Sequence, residues 1–98
     1  MNDIIKVADL SLASALTING NSEEAVNFDV SSQISDDYAF GGMRTYSLGQ
    51  GMMIRRVAWT YATKTITLSF RNVTSSPITI PTNIDLTATF ILAPKVNT

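Results

Sequence analysis

Along most of the chain after residue 14, apolar and polar residues alternate with period two. The clearest run is residues 65–71, where Ile66, Leu68 and Phe70 share one face and Thr65, Thr67, Ser69 and Arg71 the other. Period two is the signature of a strand, whose successive side chains point to opposite faces. Val26, Phe28 and Val30 alternate with Asn27 and Asp29 in the same way. So do Ile84, Leu86, Ala88, Phe90 and Leu92 with Thr87, Thr89 and Ile91. Residues 15–19 and 77–80 are shorter and weaker strands, ended by Asn19–Gly20–Asn21 and by Pro81. In residues 52–61 both faces are mixed: Met53, Arg55, Val57, Trp59 and Tyr61 fall on one, Met52, Ile54, Arg56, Ala58 and Thr60 on the other. A strand with two mixed faces is expected to be covered on both sides or to border an interface.

The pattern therefore predicts strands near 15–19, 25–30, 52–60, 65–71, 77–80 and 84–92, with a short strand possible in 43–48. Residues 31–42 read as a loop carrying Gly41–Gly42, from which Tyr38 and Phe40 reach back to the core. Gly49–Gln50–Gly51 reads as a turn, and Pro94 as the end of the last strand. No convincing helical period appears. Regularly spaced short strands point to an all-β fold, a small antiparallel β-sandwich or jelly-roll-like barrel. Its core would be Leu16, Ile18, Val26, Phe28, Val30, Val57, Ile66, Leu68, Phe70, Ile84, Leu86, Ala88 and Phe90. Residues 1–13 are weakly patterned and read as a possible N-terminal arm, leaving 14–98 as a single β-domain.

Size sharpens this picture. A chain of 98 residues forms one domain at most, and it buries only about 60–65% of the surface that its unfolded form exposes. With no cysteine and no histidine, neither a disulfide nor a zinc site reinforces it. Association with other chains is the remaining way to bury more apolar surface. Charged residues are 15% of the chain, against about 25% in an average domain. The twelve threonines and ten serines that replace them suit sheet surface. The first nine residues, with Lys6 as the single base among acids, are not expected to form a signal peptide, and no apolar run approaches the length of a membrane span.

Charge is unevenly distributed. Residues 1–40 hold seven acids and one base, and residues 41–98 hold six bases and one acid. Either the two halves face each other inside the domain, or the acidic half meets a neighbour's basic half. Contacts of the second kind orient association more than they tighten it.

Catalytic chemistry finds little support. Without histidine or cysteine, the commonest general base, metal ligand and thiol nucleophile are missing, so no enzyme activity, cofactor or metal is expected. The pair Asp36–Asp37 is assigned to turn capping, with calcium binding and two-carboxylate catalysis as alternatives. Arg55–Arg56 beside Trp59 and Tyr61 suggests single-stranded nucleic acid, which takes a positive groove with stacking aromatics. A role for Trp59 in the core or at a subunit contact fits the slightly acidic chain better. Asn72–Val73–Thr74 matches a glycosylation sequon, but Asn72 is expected to cap a turn.

Val57–Ala58–Trp59, the run Lys64–Thr65–Ile66–Thr67–Leu68–Ser69–Phe70–Arg71–Asn72–Val73–Thr74 and the run Ser76–Pro77–Ile78–Thr79–Ile80–Pro81, followed by a last strand at 84–92, form a combined motif. It resembles the C-terminal half of small all-β bacteriophage virion structural proteins: capsid decoration or cement proteins, head-fibre domains and tail-associated knobs. The resemblance covers roughly residues 50–92. Where such domains have a long glycine- and alanine-rich turn, this chain has Ser31 to Gly42, so the register of the first half does not follow from it. The resemblance implies a decoration or cement protein that stabilises a viral head by packing on the major capsid protein. It also implies self-association, as a homotrimer, and residence on the capsid surface after synthesis in the host cytoplasm. The alternatives are a carbohydrate- or receptor-binding module of a fibre or tail, with Tyr38, Tyr46 and Tyr61 as stacking candidates, and the nucleic-acid barrel above. Candidate contact residues are Ile4, Ile5, Val7, Leu10 and Leu12 in the arm, and Met52, Ile54, Arg55, Arg56, Trp59 and Arg71 in the domain.

Overall fold

The computed structural model describes residues 4–46, 48 and 50–92, with the backbone alone for residues 44–46. Met1 to Asp3, the turn residue Gly49 and Pro94 lie outside that description. The described residues form eight strands: β1 (Ile5–Asp9), β2 (Leu16–Ile18), β3 (Glu23–Asp29), β4 (Tyr38–Tyr46), β5 (Met52–Thr60), β6 (Thr65–Asn72), β7 (Ile78–Ile80) and β8 (Leu86–Leu92). They make two three-stranded antiparallel sheets, β1–β8–β4 and β3–β6–β5, and a two-stranded ribbon, β2–β7. The fold is thus all-β, as the alternation predicts. It is a small sandwich and not a closed barrel, because among the described residues each three-stranded sheet keeps two unpaired edges.

An aromatic cluster fixes how the sheets face each other. Phe40 on β4 and Phe90 on β8 meet Trp59 on β5, with ring centroids 6.0 Å apart for Phe40–Trp59 and 5.0 Å for Trp59–Phe90. β4 therefore lies over β5. The strand orders then set β1 over β3 on the opposite side, where Gln33, just after β3, clamps the end of β1. The Asp9 amide donates to Gln33 Oε1 and Gln33 Nε2 donates to the Asp9 carbonyl, both at 2.9 Å. The central strands β6 and β8 carry the driest side chains: Ile66, Leu68, Phe70, Ala88 and Phe90 expose no surface.

The mixed faces of residues 52–60 have a simple cause. The β5–β6 register shifts between Ile54 and Arg56, so Arg55 is an extra, bulged residue. Before it Met52 and Ile54 point inward; after it Val57 and Trp59 do. One inserted residue flips the phase, and a fixed period of two then mixes both faces. Val57 stays 39% exposed at the open rim, which corrects its place in the expected core. β4 shows the same device twice, with register shifts between Phe40 and Gly42 and between Met43 and Thr45. Gly42 has φ of 115°, a conformation that glycine tolerates. These shifts hide the alternation, so residues 38–42, read as loop, are in fact the first part of a strand. Tyr38 is buried there and Phe40 packs on the core, as expected of both.

Residues 5–12 are built into the domain. β1 pairs with β8 from Ile5–Ile91 to Asp9–Thr87, and Ala8, Leu10 and Leu12 enter the core. An edge strand buries few of its residues, which is why its pattern is weak in the sequence. Leu10 and Leu12 accordingly leave the set of contact candidates.

Asn72 holds the far end of the sandwich together. It is fully buried, and its side chain makes four hydrogen bonds. Its Nδ2 donates to the carbonyls of Ile18 (3.0 Å) and Ser76 (2.7 Å), and its Oδ1 accepts from the amide (2.9 Å) and hydroxyl (2.7 Å) of Thr74. Its backbone amide donates to Ser22. The side chain thus binds β2 and the loop after β6, and the backbone amide of the same residue binds the β2–β3 turn. Two glycines let neighbouring turns close on that loop. A Cβ on Gly20 would lie 2.4 Å from the Ser75 backbone, and one on Gly51, with φ of 84°, would strike the Thr74 side chain. Asn72 caps a turn as expected, and its burial leaves no room for a glycan in the folded chain.

Three outcomes test this account. Asn72→Ala strands carbonyls and a loop amide in the interior, and urea denaturation is expected to show a loss of about 2–4 kcal/mol; a loss under about 0.5 kcal/mol would mean that water replaces the network freely. Phe70→Ala is expected to cost about 3–5 kcal/mol. Removal of residues 1–12 is expected to abolish the cooperative unfolding transition, because it strips one edge of a sheet and three core side chains; a truncated chain that still melts cooperatively would return this segment to the status of an arm.

Candidate contact surfaces

The outer face of the β1–β8–β4 sheet is apolar at one end. Ile5, Ile91 and Ala39 form one row across all three strands, and Val7, Thr89 and Gly42 form the next. Ile5 is 59% exposed, Ile91 46% and Val7 40%, with Ile4 beyond them at 70%. Gly41 belongs to this surface: a Cβ there would press on Ile91 Cγ1 and Cδ1 at 3.3 Å, so the missing side chain lets Ile91 lie over the bulge. The third row carries Asp9 and Thr87 and is polar. Single exposed apolar residues are ordinary, but contiguous ones on a flat sheet face mark a contact surface.

A second feature opens between the sheets where β4 lies over β5. Phe40, Gly42, Met43, Ile54 and Val57 line a cleft of about 290 Å³. Arg55 and Arg56, both exposed, stand beside it. Another hollow of about 420 Å³ lies near the ribbon, lined by Met52, Ile78, Thr79, Ile80, Pro81, Asn83, Ile84 and Asp85. Neither contains a constellation of titratable groups, and among the described residues no three acids come together as a metal cluster would require.

The expected contact residues scatter over several surfaces. Ile4, Ile5 and Val7 are exposed on or beside the outer face of the β1–β8–β4 sheet. Ile54 lines the cleft, with Arg55 and Arg56 at its side. Met52 is 9% exposed and joins the core. Trp59 is stacked on Phe40 and edge-on to Phe90, so its ring is committed between the sheets and is not a platform for a base. Arg71 is half-buried on the outer face of the other sheet, in register with Glu23 and Met53. The alternation sets Ile91 with Thr87 and Thr89 on the second face of its strand but does not mark it as part of an apolar surface; a partner strand on either side makes it the centre of a row.

The tyrosines proposed for sugar stacking are not presented together. Tyr38 is buried, and the side chain of Tyr46 lies outside the described residues. Tyr61 is 43% exposed, but its hydroxyl donates to the Asp36 carbonyl at 3.1 Å and the Lys64 ammonium lies 5.4 Å from its ring centroid.

The two halves of the chain do meet electrostatically. Arg55 Nη1 bonds Glu23 Oε1 at 3.1 Å across β6, and Lys64 pairs with Asp36 beside Tyr61. The hydrogen bond that the Lys64 ammonium donates to the Asp36 carboxylate holds Lys64 protonated to higher pH than usual, against an opposing desolvation. Asp29 is shifted the other way, to a lower pKa, by hydrogen bonds from Ser31.

No family model, curated protein or solved structure matches the chain.

The two shifts have opposite consequences for pH. The raised Lys64 pKa contributes stability below the ordinary value of 10.5, and that contribution is lost as pH rises through the folded value. The lowered Asp29 pKa contributes above 3.8 and is lost as pH falls through its folded value. Asp29 is exposed, as is Asp36, the partner of half-buried Lys64, so the effect on stability is small, and titration by NMR reads it better. Asp36→Asn is expected to bring the Lys64 titration back to the ordinary lysine value; an unchanged curve would show that the pair does not form in solution.

Proposed function

We propose that the protein is a non-enzymatic structural module that packs on a larger protein surface, and that this surface is the outside of a viral capsid, where the chain serves as a decoration or cement protein. The observation that carries the reading is the apolar end of the outer β1–β8–β4 face. A monomer that exposes Ile4, Ile5, Val7 and Ile91 side by side leaves apolar surface in water, and a flat partner removes it. At about 25 cal/mol per Å² of apolar area, covering such a face contributes usefully to association. A sheet face is also rigid, so little conformational entropy is lost on docking. The motif in residues 57–81 and the last strand point to the capsid as that partner, and to a homotrimer as the form that docks.

The alternative of a glycan- or receptor-binding module draws less support, since Tyr38 is buried and Tyr61 is engaged with Asp36 and Lys64. The single-stranded nucleic-acid reading loses its stacking residue, because Trp59 packs against Phe40 and Phe90.

The test is co-sedimentation with capsids assembled from the major capsid protein of the same genome. Wild-type protein is expected to pellet with the capsids in stoichiometric amount, and Ile5→Asp and Ile91→Lys to reduce binding about a hundredfold or more while leaving the circular dichroism spectrum unchanged. A wild-type chain that remains in the supernatant at about 10 μM, well above the Kd of a stable complex, rules out the capsid. Binding that survives both substitutions moves the contact to another face.

A further inference from the structure

The strands that border the two three-stranded sheets differ in how well they can take another strand. β4 is broken by two register shifts and β5 by the bulge at Arg55. β3 is regular, but it carries Glu23, Glu24 and Asp29. Bulges and charges of this kind discourage a further strand. β1 has no bulge: its pairing with β8 is unbroken from Ile5 to Asp9, and Ile5 and Val7 are apolar and exposed.

The hydrogen bonds show which backbone groups of β1 face outward. The Leu92 amide donates to the Ile4 carbonyl at 2.7 Å, and the Leu10 amide to the Leu86 carbonyl at 3.0 Å. In an antiparallel ladder, residues bonded to the neighbour alternate with residues whose N–H and C=O point the other way. Ile4, Lys6, Ala8 and Leu10 therefore bond β8, while Ile5, Val7 and Asp9 turn their backbone groups to the outer edge. The surroundings of Asp9 agree with this phase. The carboxamide of Gln33 donates to its carbonyl and accepts from its amide, both at 2.9 Å, as a facing residue of a neighbouring strand would. Ile5 and Val7 face no strand among the described residues, where β1 is the outermost member of its sheet.

We propose that this edge takes an extended segment of a partner chain as an added antiparallel strand, with an acidic residue between two apolar ones. The proposal rests on the reading of the protein as one that packs on other chains, and it names what the partner contributes. Strand addition draws affinity from main-chain hydrogen bonds and specificity from alternate side chains. Residues opposite Ile5 and Val7 bond the open N–H and C=O of both, and their side chains lie on the outer face, where apolar ones extend the row of Ile5 and Ile91. The residue between them is opposite Lys6, whose ammonium lies 5.5 Å from the ring centroid of Tyr38 and has no carboxylate partner among the described residues. A carboxylate at that position completes the pair. Gln33 ends the added segment, since it fills the place opposite Asp9. A second copy of β1 fits less well. Antiparallel pairing that uses Ile5 and Val7 of both copies sets Lys6 against Lys6, and like charges directly opposite are destabilising.

The probe is a capped pentapeptide, Thr-Val-Glu-Val-Thr, titrated to about 5 mM into the isotope-labelled full chain, a range that captures millimolar binding. NMR is expected to show amide shift changes centred on residues 5–9, with hydrogen exchange of the Ile5 and Val7 amides slowed. Val7→Pro removes an outward-facing donor and no bond to β8, as suits proline on an edge strand. It is expected to weaken peptide binding about tenfold or more, with the circular dichroism spectrum unchanged. Lys6→Glu, which leaves the backbone groups in place, is expected to weaken binding about fivefold and to favour the matched peptide with lysine for glutamate. Ile5 and Val7 amides that neither shift nor slow at the end of the titration overturn the inference, as does binding that neither substitution weakens. A dimer that forms without peptide and is dissolved by Val7→Pro assigns the edge to a second copy and overturns it too. The capsid reading is tested separately through Ile91, which lies on the central strand and not at the edge. Peptide binding by a chain that ignores capsids removes only the capsid, and capsid binding by a chain whose edge takes no peptide removes only the added strand.

Discussion

The structure depends on one buried polar side chain. A two-sheet sandwich has to be closed at its ends, where strands stop and backbone groups lose their ladder partners. At one end of this molecule the task falls to Asn72, which supplies two donors to the Ile18 and Ser76 carbonyls and an acceptor to the Thr74 amide and hydroxyl. A buried amide is favourable only when its hydrogen bonds are complete. That condition dictates the surroundings: the loop after β6 must curl back, and Gly20 and Gly51 must lack side chains so that turns close on it. In a chain without cysteine, this network takes the place of a covalent staple.

A second constraint is that both sheets have edges. An open edge invites uncontrolled pairing, and bulges and charges are the usual protection. Here β4 is bulged near Gly41 and Arg44, and β5 at Arg55, where two adjacent arginines stand. The same irregularities keep Phe40, Met43, Ile54 and Val57 pointing between the sheets while the backbones diverge, and the cleft results. Protection of the edge and formation of an apolar hollow have one structural cause.

The surfaces divide the labour that the topology allows. One end of the outer β1–β8–β4 face is apolar, suited to covering by a partner. β1 and β3 lie on one side of the sandwich and β4 and β5 on the other, and the ion pair of Glu23 with Arg55 crosses β6 between them.

Much of the fold was legible in the residues themselves. Unbroken alternation in β3, β6 and β8 identified those strands and their inward faces, since burial on one side of a pleated strand leaves no other pattern. The absence of histidine and cysteine narrowed the chemistry before any coordinate was known, and Asn72 was readable as a turn cap. The contact surfaces were less legible. Ile5 and Val7 look like isolated hydrophobes until β8 sets Ile91 beside them, and Leu10 and Leu12 look identical to them yet are core. The phase of β5, the start of β4 at Tyr38 and the pairing of residues 5–9 were decided only in three dimensions. A bulge is a property of two strands, visible only against the partner whose register it breaks, and an edge strand draws its place from a neighbour some eighty residues away. Local sequence determines which way a side chain points along a regular strand; long-range pairing decides which strands lie together, and hence which exposed side chains form a surface.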